Sequence, residues 1–198
     1  IMLPLSLMNR TWTGGTRFGA YFLALGLALL IVEIEFIQKF TLFLSHPLYA
    51  FAVVLSSFLV FAGAGIAYSQ RVAEPAAARD VRPVSFAVAG IVGIEAIYLL
   101  ILPTLFGGFI GFAEGARFLI SVVMIAPLAF FMGMPLPLGL RRVAEQAPDF
   151  VPWAWGINGF ASVVSAVLAT LLAIHFGCTA VIVLAMIIYI VAAALRVA

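Results

Sequence analysis

The chain has 198 residues, of which 66% are hydrophobic and 9% are charged, and its mean hydropathy is +1.26. This balance excludes an ordinary soluble globular domain and indicates an integral membrane protein. Its apolar runs are about 20 residues or longer and lack the ten-residue alternation of a transmembrane β-barrel, so the predicted spans are α-helical.

The cysteine and histidine content limits the chemistry that the chain can carry. Cys178 is the only cysteine, which excludes an internal disulfide and a thiolate metal cluster. His46 and His175 are the only histidines, and neither has neighbours at metal-ligand spacing. The sequence therefore predicts neither a metal nor a cofactor. It has no basic run with interleaved aromatic residues, so no nucleic-acid partner is predicted either.

The first 17 residues differ from the rest of the chain. The apolar stretch IMLPLSLM is too short to span a membrane and is followed by the polar stretch NRTWTGGTR. It also lacks the basic start of a signal peptide. We interpret residues 1–17 as the end of a preceding helix and a cytoplasmic linker, which makes this chain the carboxy-terminal part of a longer protein.

Residues 18–198 are predicted to form an all-α, polytopic transmembrane helix bundle with six spanning helices. Short polar breaks separate the apolar segments, and the longest of these breaks are residues 70–83 and 140–152. The predicted spans are residues 18–44, 47–69, 84–106, 117–139, 153–176 and 179–195.

The basic residues predict how this bundle is oriented. Alternating spans place eight of the ten Lys and Arg residues on one side of the membrane and leave only Lys39 and Arg117 on the other. By the positive-inside rule the first side is cytoplasmic, so both ends of the region face the cytoplasm. The eight residues are Arg10, Arg17, Arg71, Arg79, Arg82, Arg141, Arg142 and Arg196.

The first span carries polar residues in its second half, within the stretch IVEIEFIQKF. Glu33 and Glu35 project about 200° apart on a helix, so they cannot form one carboxylate pair. Glu35 and Lys39 are four residues apart in the favourable acid-first order, with Gln38 beside them, which predicts a self-neutralised polar cluster near the outer interface. Glu33 has no such neighbour, so it either pairs with another helix or belongs to a functional site.

Glu95 interrupts the third span near its predicted centre, in the stretch IVGIEAIYLL. A charge at that depth costs at least a few kcal/mol. Two interpretations stay open. Glu95 is either a neutral acid bonded to a neighbouring backbone group or to Tyr98, or it faces a hydrated cavity.

The fourth span is predicted to break near its cytoplasmic end, in the stretch APLAFFMGMPLPLG. Pro135 and Pro137 lack amide donors and obstruct the carbonyls of Phe131 and Gly133. Gly133 and Gly139 make the backbone more flexible there. These carbonyls therefore need other partners, because lipid supplies none.

The fifth span carries two neighbouring ridges of small and polar residues. Such ridges predict close packing against another helix, and the broken fourth span is the plausible neighbour. The alternative is that the broken helix, with its free carbonyls, binds a substrate or cation. The ridges consist of Ala161, Ser165, Ala169 and Ala173, and of Asn158, Ser162, Ala166 and Thr170.

Two polar residues lie at the predicted outer interface. His46 precedes Pro47 and is expected to cap the outer turn there. Arg117 begins the fourth span, where Glu114 and Glu33 are the candidate partners.

Three segments together resemble a known family. They are YFLALGLALLIVEIEFIQKFTLFLSHPLYAFAVVL, FFMGMPLPLGLRR and VPWAWGINGFASVVSAVLA. Their order and spacing resemble the membrane region of bacterial spermidine-synthase-like polytopic membrane proteins, and the resemblance extends from residue 21 to about residue 177. It implies the bacterial inner membrane as the location. It also implies a soluble aminopropyltransferase- or methyltransferase-related domain that this chain does not contain, so any such activity would lie outside it.

The leading functional prediction is a non-catalytic membrane region, acting as an anchor or as a packed subunit of a larger assembly. Its expected partners are the lipid bilayer and other membrane subunits or a soluble domain of the same protein. The alternative is a transporter-like module for polyamines or other cations, in which Glu33 and Glu95 hold the positive charge. An intramembrane enzyme has little support, because the sequence contains neither H-E-x-x-H nor G-x-S-x-G.

Overall fold

The computed structural model describes residues 15–73 and 82–195, and these residues form an all-α bundle. The helices are α1 (Gly15–Leu44), α2 (Pro47–Ala73), α3 (Arg82–Phe109), α4 (Glu114–Met132), α5 (Pro135–Gln146), α6 (Val151–Phe176) and α7 (Cys178–Ala194). A single 3₁₀ turn, Pro148–Phe150, joins α5 to α6. The predicted fold class is confirmed for the described part of the chain.

Five segments are long and apolar enough to cross a membrane: α1, α2, α3, the α4–α5 segment, and α6 with its preceding turn. The sixth predicted span is α7, which has 17 residues. At 1.5 Å per residue it extends for about 25 Å, close to the lower limit for a spanning helix. The apolar helices indicate a membrane-embedded, multi-pass protein.

Part of the predicted organisation lies outside the described residues. This applies to residues 1–14, and so to most of the predicted preceding helix and linker, and to Arg10, Arg79 and Arg196. Residues 15–17 belong to α1 and not to a linker. One end of the bundle carries five described arginines, and we call it the arginine-rich end. It contains the starts of α1 and α3, the end of α2, and α5, and its arginines are Arg17, Arg71, Arg82, Arg141 and Arg142.

Helix α1 is the centre of the bundle. It contacts α2, α4, α5, α6 and α7, and α3 packs between α4 and α7. The core is rich in aromatic rings from α1, among them Phe22, Phe36, Phe40 and Phe43, which are almost fully buried. Phe43 stacks on Phe106 of α3 with ring centroids 4.6 Å apart. A helix surrounded on most sides must be apolar on most sides, which is why α1 has no clean polar face.

Two helix crossings bring backbones into direct contact at glycines. Where α1 crosses α6, a Cβ on Gly26 would overlap the carbonyl of Asn158 and the side chain of Ala161. Where α2 crosses α4, a Cβ on Gly65 would overlap the Phe130 carbonyl. Without a hydrophobic force between helices in lipid, close packing of this kind supplies much of the association energy.

The structure corrects two predictions about helix arrangement. The small-residue ridge of the fifth span packs mainly against α1 and α7, and not against the fourth span. Ser165 and Ala169 of that ridge are fully buried. Much of the predicted polar break 140–152 is helical, because α5 continues to Gln146. Helix α5 was missed because its polar residues suggested a loop, whereas they form the outer face of an amphipathic helix that buries Leu138 and Val143.

A buried polar centre beside the helix break

The predicted break in the fourth span is confirmed. Helix α4 ends at Met132, Gly133 caps it, and α5 begins at Pro135. The Gly133 amide donates to the Ala129 carbonyl at 3.1 Å, and the Met134 amide donates to the Phe131 carbonyl at 3.2 Å. The expectation that the Phe131 carbonyl loses its partner is therefore wrong, because the last turn of α4 tightens and supplies one.

The prolines begin a helix here rather than distort one. Pro135 and Pro137 lie in the first turn of α5, where a backbone amide would have no helical partner in any case. Gly133 lies against the backbone of Ala62 in α2, where a Cβ would clash. The break is thus held in place by helix packing as well as by its sequence.

Helix α1 contacts the start of α5 through Tyr21. The Tyr21 hydroxyl donates a hydrogen bond to the Pro135 carbonyl at 2.8 Å. Its ring fills the space left by the missing side chain of Gly139. This buried bond fixes the direction in which α5 leaves the break.

A cavity of about 40 Å³ lies next to the break, between α1, α6 and α7. Its polar lining comes from Asn158 and Ser162 of α6 and from Tyr189 of α7. The rest of the wall is apolar and consists of Leu25, Gly26, Leu29, Met132, Pro135 and Leu136. The Ser162 hydroxyl donates to the Asn158 carbonyl at 2.9 Å and lies 3.4 Å from the Gly26 carbonyl. The volume suffices for one or two water molecules.

Glu95 and Tyr189 are the buried polar groups of this centre that have no hydrogen-bond partner among the described residues. Glu95 is 1% exposed and Tyr189 is 1% exposed. Both carboxyl oxygens of Glu95 and the hydroxyl of Tyr189 are unpaired. The two side chains lie near one another between α3 and α7.

The predicted bond between Glu95 and Tyr98 does not form. The Tyr98 hydroxyl instead donates to the Met124 carbonyl of α4, which leaves it unavailable to Glu95. Tyr98 thereby ties α3 to α4.

A second polar cluster lies at the opposite end of α1. The Glu35 carboxylate is fully buried, and its oxygens have no hydrogen-bond partner among the described residues. Glu35 and Lys39 do not reach ion-pair distance in the described part of the chain, so the predicted pair does not form, although Lys39 lies within electrostatic range of the Glu35 carboxyl. The Cys178 thiol lies near Glu35 and 3.9 Å from Oε1 of Gln38. The first turn of α7 thus covers this face of α1, and Lys39 stays half-buried.

Glu33 is 8% exposed, and neither Glu33 nor Glu95 is among the residues that line the cavity. It lies two turns along α1 from Gly26, on the face that packs against α6. The predicted pairing of Glu33 with Arg117 does not occur. The structure keeps Glu33 and Glu95 on separate helices.

Arg117 caps the end of α1. Its guanidinium donates to the Phe43 carbonyl at 2.9 Å and to the Ser45 hydroxyl at 3.2 Å, so the expectation that it pairs with Glu114 or Glu33 is wrong. A cation at a helix carboxy terminus is favoured by the free carbonyls there. The exposed His46 side chain packs on Tyr49, and only its backbone carbonyl accepts from the Ala50 amide, so it is not a side-chain cap.

Tyr21 and Tyr189 were not identified from the sequence as members of a site. Both lie within two turns of the arginine-rich ends of their helices, a level at which tyrosine is common, and burial to 1% exposure is what sets them apart. A buried tyrosine hydroxyl needs a partner, and that need could have drawn attention to both. Among the described residues no three His, Cys, Asp or Glu side chains come close enough to hold a metal.

No known protein family, curated protein or solved structure shows significant similarity to this chain. The resemblance to spermidine-synthase-like membrane proteins therefore stays a prediction.

Proposed function

We propose that this chain is a non-catalytic membrane region of a larger bacterial inner-membrane protein, serving as an anchor or as a packed subunit. The observation that carries the proposal is the position of α1, an apolar helix enclosed by five others with backbone contact at Gly26. A bundle packed in this way around one central helix resists large rearrangement, which suits a scaffold. The sequence resemblance supports the same role.

The distribution of arginines supports a cytoplasmic location for both ends of the region. Five arginines lie at one end of the described bundle, and Arg117 of the opposite end is engaged in capping α1. Positively charged loops are retained on the cytoplasmic side during insertion.

Reporter fusions test this proposal. A fluorescent protein folds on the cytoplasmic side and alkaline phosphatase is active only outside the cytoplasm, so each is fused in turn to either end of the chain. We expect fluorescence and no phosphatase activity at both ends, with the fusions retained in membranes after alkaline carbonate washing. Phosphatase activity at either end, or release by carbonate, would contradict the proposal.

A second candidate is a transporter-like module for polyamines or other cations. The observation in its favour is the unpaired carboxyl of Glu95 at the centre of α3, because an intramembrane acid without a structural partner is a functional candidate. The cavity beside the break is too small for an extended polyamine, so this candidate requires the bundle to open.

Vesicle uptake separates the two candidates. Under the transport proposal, proteoliposomes take up labelled spermidine faster than empty liposomes, and Glu95→Gln abolishes the difference. Glu114→Gln serves as the control because Glu114 is exposed at the start of α4. Uptake equal to that of empty liposomes would exclude the transport candidate for spermidine and leave the anchor proposal intact.

A further inference from the structure

Two buried polar side chains, Glu95 and Tyr189, have hydrogen-bonding groups that no described residue satisfies. Tyr189 lines the cavity and its hydroxyl has no partner among the described residues, and the Glu95 carboxyl has none either. An unpaired buried hydroxyl or carboxyl is costly, and buried water is the usual way in which such groups are satisfied. The cavity is large enough for one or two water molecules, and Asn158 and Ser162 supply hydrogen-bonding groups within its mainly apolar lining.

The cavity lies on the arginine-rich side of Glu95. Asn158 is seven residues into α6 and Gly26 is eleven residues into α1, so the cavity is about 10–16 Å from that end of the bundle. Glu95 is thirteen residues into α3, about 20 Å from the same end. Tyr189 borders the cavity, belongs to a helix that packs against α3 and lies within electrostatic range of Glu95, so it is the polar side chain between the two.

Few ionisable groups surround Glu95. Helix α7 contributes Tyr189, α1 contributes Tyr21, which is bonded to the Pro135 carbonyl, and Tyr98 on α3 itself is bonded to α4. Helix α4 has no ionisable residue after Arg117, which caps α1 at the far end of the bundle. Helix α5 also packs against α3 and contributes the buried Arg142, which lies near Tyr21. Within the described residues no hydrogen bond joins Glu95 to this or another cation, so the neutral form of Glu95 needs only hydrogen bonds.

We propose that this cavity is a hydrated intramembrane site through which Glu95 exchanges protons with the arginine-rich side of the membrane. Water in the cavity bonds the Tyr189 hydroxyl and the Asn158 side chain. When Glu95 releases its proton, the carboxyl O–H bond breaks, a water molecule hydrogen-bonded to the Tyr189 hydroxyl accepts the proton, and a carboxylate and a hydronium ion result. The reverse transfer restores the neutral acid. This inference goes beyond the proposed function, because an anchor needs no proton site.

Cysteine accessibility tests whether the cavity is hydrated. In a Cys178→Ala background, Asn158→Cys places a thiol on the cavity wall, and Ala169→Cys places one eleven residues further along the same face of α6, where the side chain is fully buried. A small, membrane-impermeant methanethiosulfonate is added to either side of oriented vesicles. We expect the Asn158→Cys thiol to react at least about tenfold faster than the Ala169→Cys thiol, and faster from the arginine-rich side. Equal rates at the two positions, or faster reaction from the opposite side, would overturn the proposal.

Infrared spectroscopy of the otherwise native chain in nanodiscs tests the proton exchange and does not depend on the cysteine variants. The carboxyl stretching band of Glu95 is identified by its loss in Glu95→Gln and its retention in Glu114→Gln. On transfer to heavy water the band is expected to shift before the backbone amides of α3 exchange, and Tyr189→Phe is expected to slow the shift about tenfold. A shift no faster than that of the core amides, or an unchanged rate in Tyr189→Phe, would overturn the proposal. Neither result affects the reporter-fusion test.

Discussion

Gly65 lies where α2 crosses α4, and its missing side chain lets the two backbones meet at the Phe130 carbonyl. Gly65→Ala forces them apart, so we expect it to lower the free energy of unfolding by about 1–3 kcal/mol, the usual cost of overpacking. Gly63→Ala is the matched control, because it lies on the same helix with open space around it. It is expected to be neutral or to stabilise by up to about 1 kcal/mol through helix propensity. Unfolding in mixed micelles measures both variants, and equal stability of the two would show that the crossing is not tight.

Arg117 caps the carboxy terminus of α1. Arg117→Ala removes the bonds to the Phe43 carbonyl and the Ser45 hydroxyl, and we expect a loss of about 1.5–3 kcal/mol, typical of hydrogen bonds from a charged donor. Arg141→Ala serves as the control, because Arg141 makes a surface ion pair with Glu145 at 3.4 Å that is worth at most about 1 kcal/mol. A chemical unfolding curve for each variant gives the comparison. A smaller loss for Arg117→Ala than for Arg141→Ala would contradict the capping role.

At the scale of single residues, the sequence predicts which groups are unusual but not where they find partners. Glu95 and Gly133 stand out because of their context in apolar helices, and the structure buries Glu95 and places Gly133 at the helix break. The expected Glu35–Lys39 pair does not form. Spacing along one helix shows which side chains can meet, whereas tertiary packing decides whether they do.

The short helix α5 depends on Tyr21 for its attachment to α1. Tyr21→Phe removes the 2.8 Å bond to the Pro135 carbonyl at a cost of about 1 kcal/mol, so amides of α5 should exchange roughly fivefold faster. Tyr68→Phe is the comparison, since Tyr68 is 46% exposed and packs on Phe130 through its ring. Hydrogen exchange followed by mass spectrometry measures the α5 peptides in both variants. Unchanged exchange in Tyr21→Phe would mean that the bond does not hold α5.

At the scale of helices, hydropathy predicts the long elements well and their neighbours poorly. The long apolar runs locate α1, α2, α3 and α6 to within a few residues. Small-residue ridges indicate that a helix packs closely, but a ridge fits any partner with a matching groove. The partner of α6 therefore could not be chosen from sequence, and it is α1 and not the broken span. The turn from α4 into α5 was visible as a proline cluster, but its continuation as a helix was not.

For the whole molecule, the arrangement reverses the pattern of a soluble protein. Polar groups such as Glu95 and Ser165 are enclosed, and large apolar side chains cover the outside. In water such a surface would aggregate, and in lipid it is the solvated surface. The same reversal explains why α1, the most enclosed helix, tolerates two acids.

Helix α6 allows a direct test of that arrangement, because Val163 and Ile174 lie on one face, eleven residues apart, and are 72% and 73% exposed. Val163 is at the middle of the helix and Ile174 is two residues from its end. If the bundle spans a bilayer, Val163→Lys should cost about 2.5–3.5 kcal/mol of insertion free energy, whereas the lysine of Ile174→Lys can extend to the interface at little cost. A glycosylation-based insertion assay on the full chain measures the inserted fraction of each variant. If this face of α6 were in water, a lysine would change the free energy by almost nothing at either position. Equal insertion of the two variants would therefore show that this face lies outside the lipid.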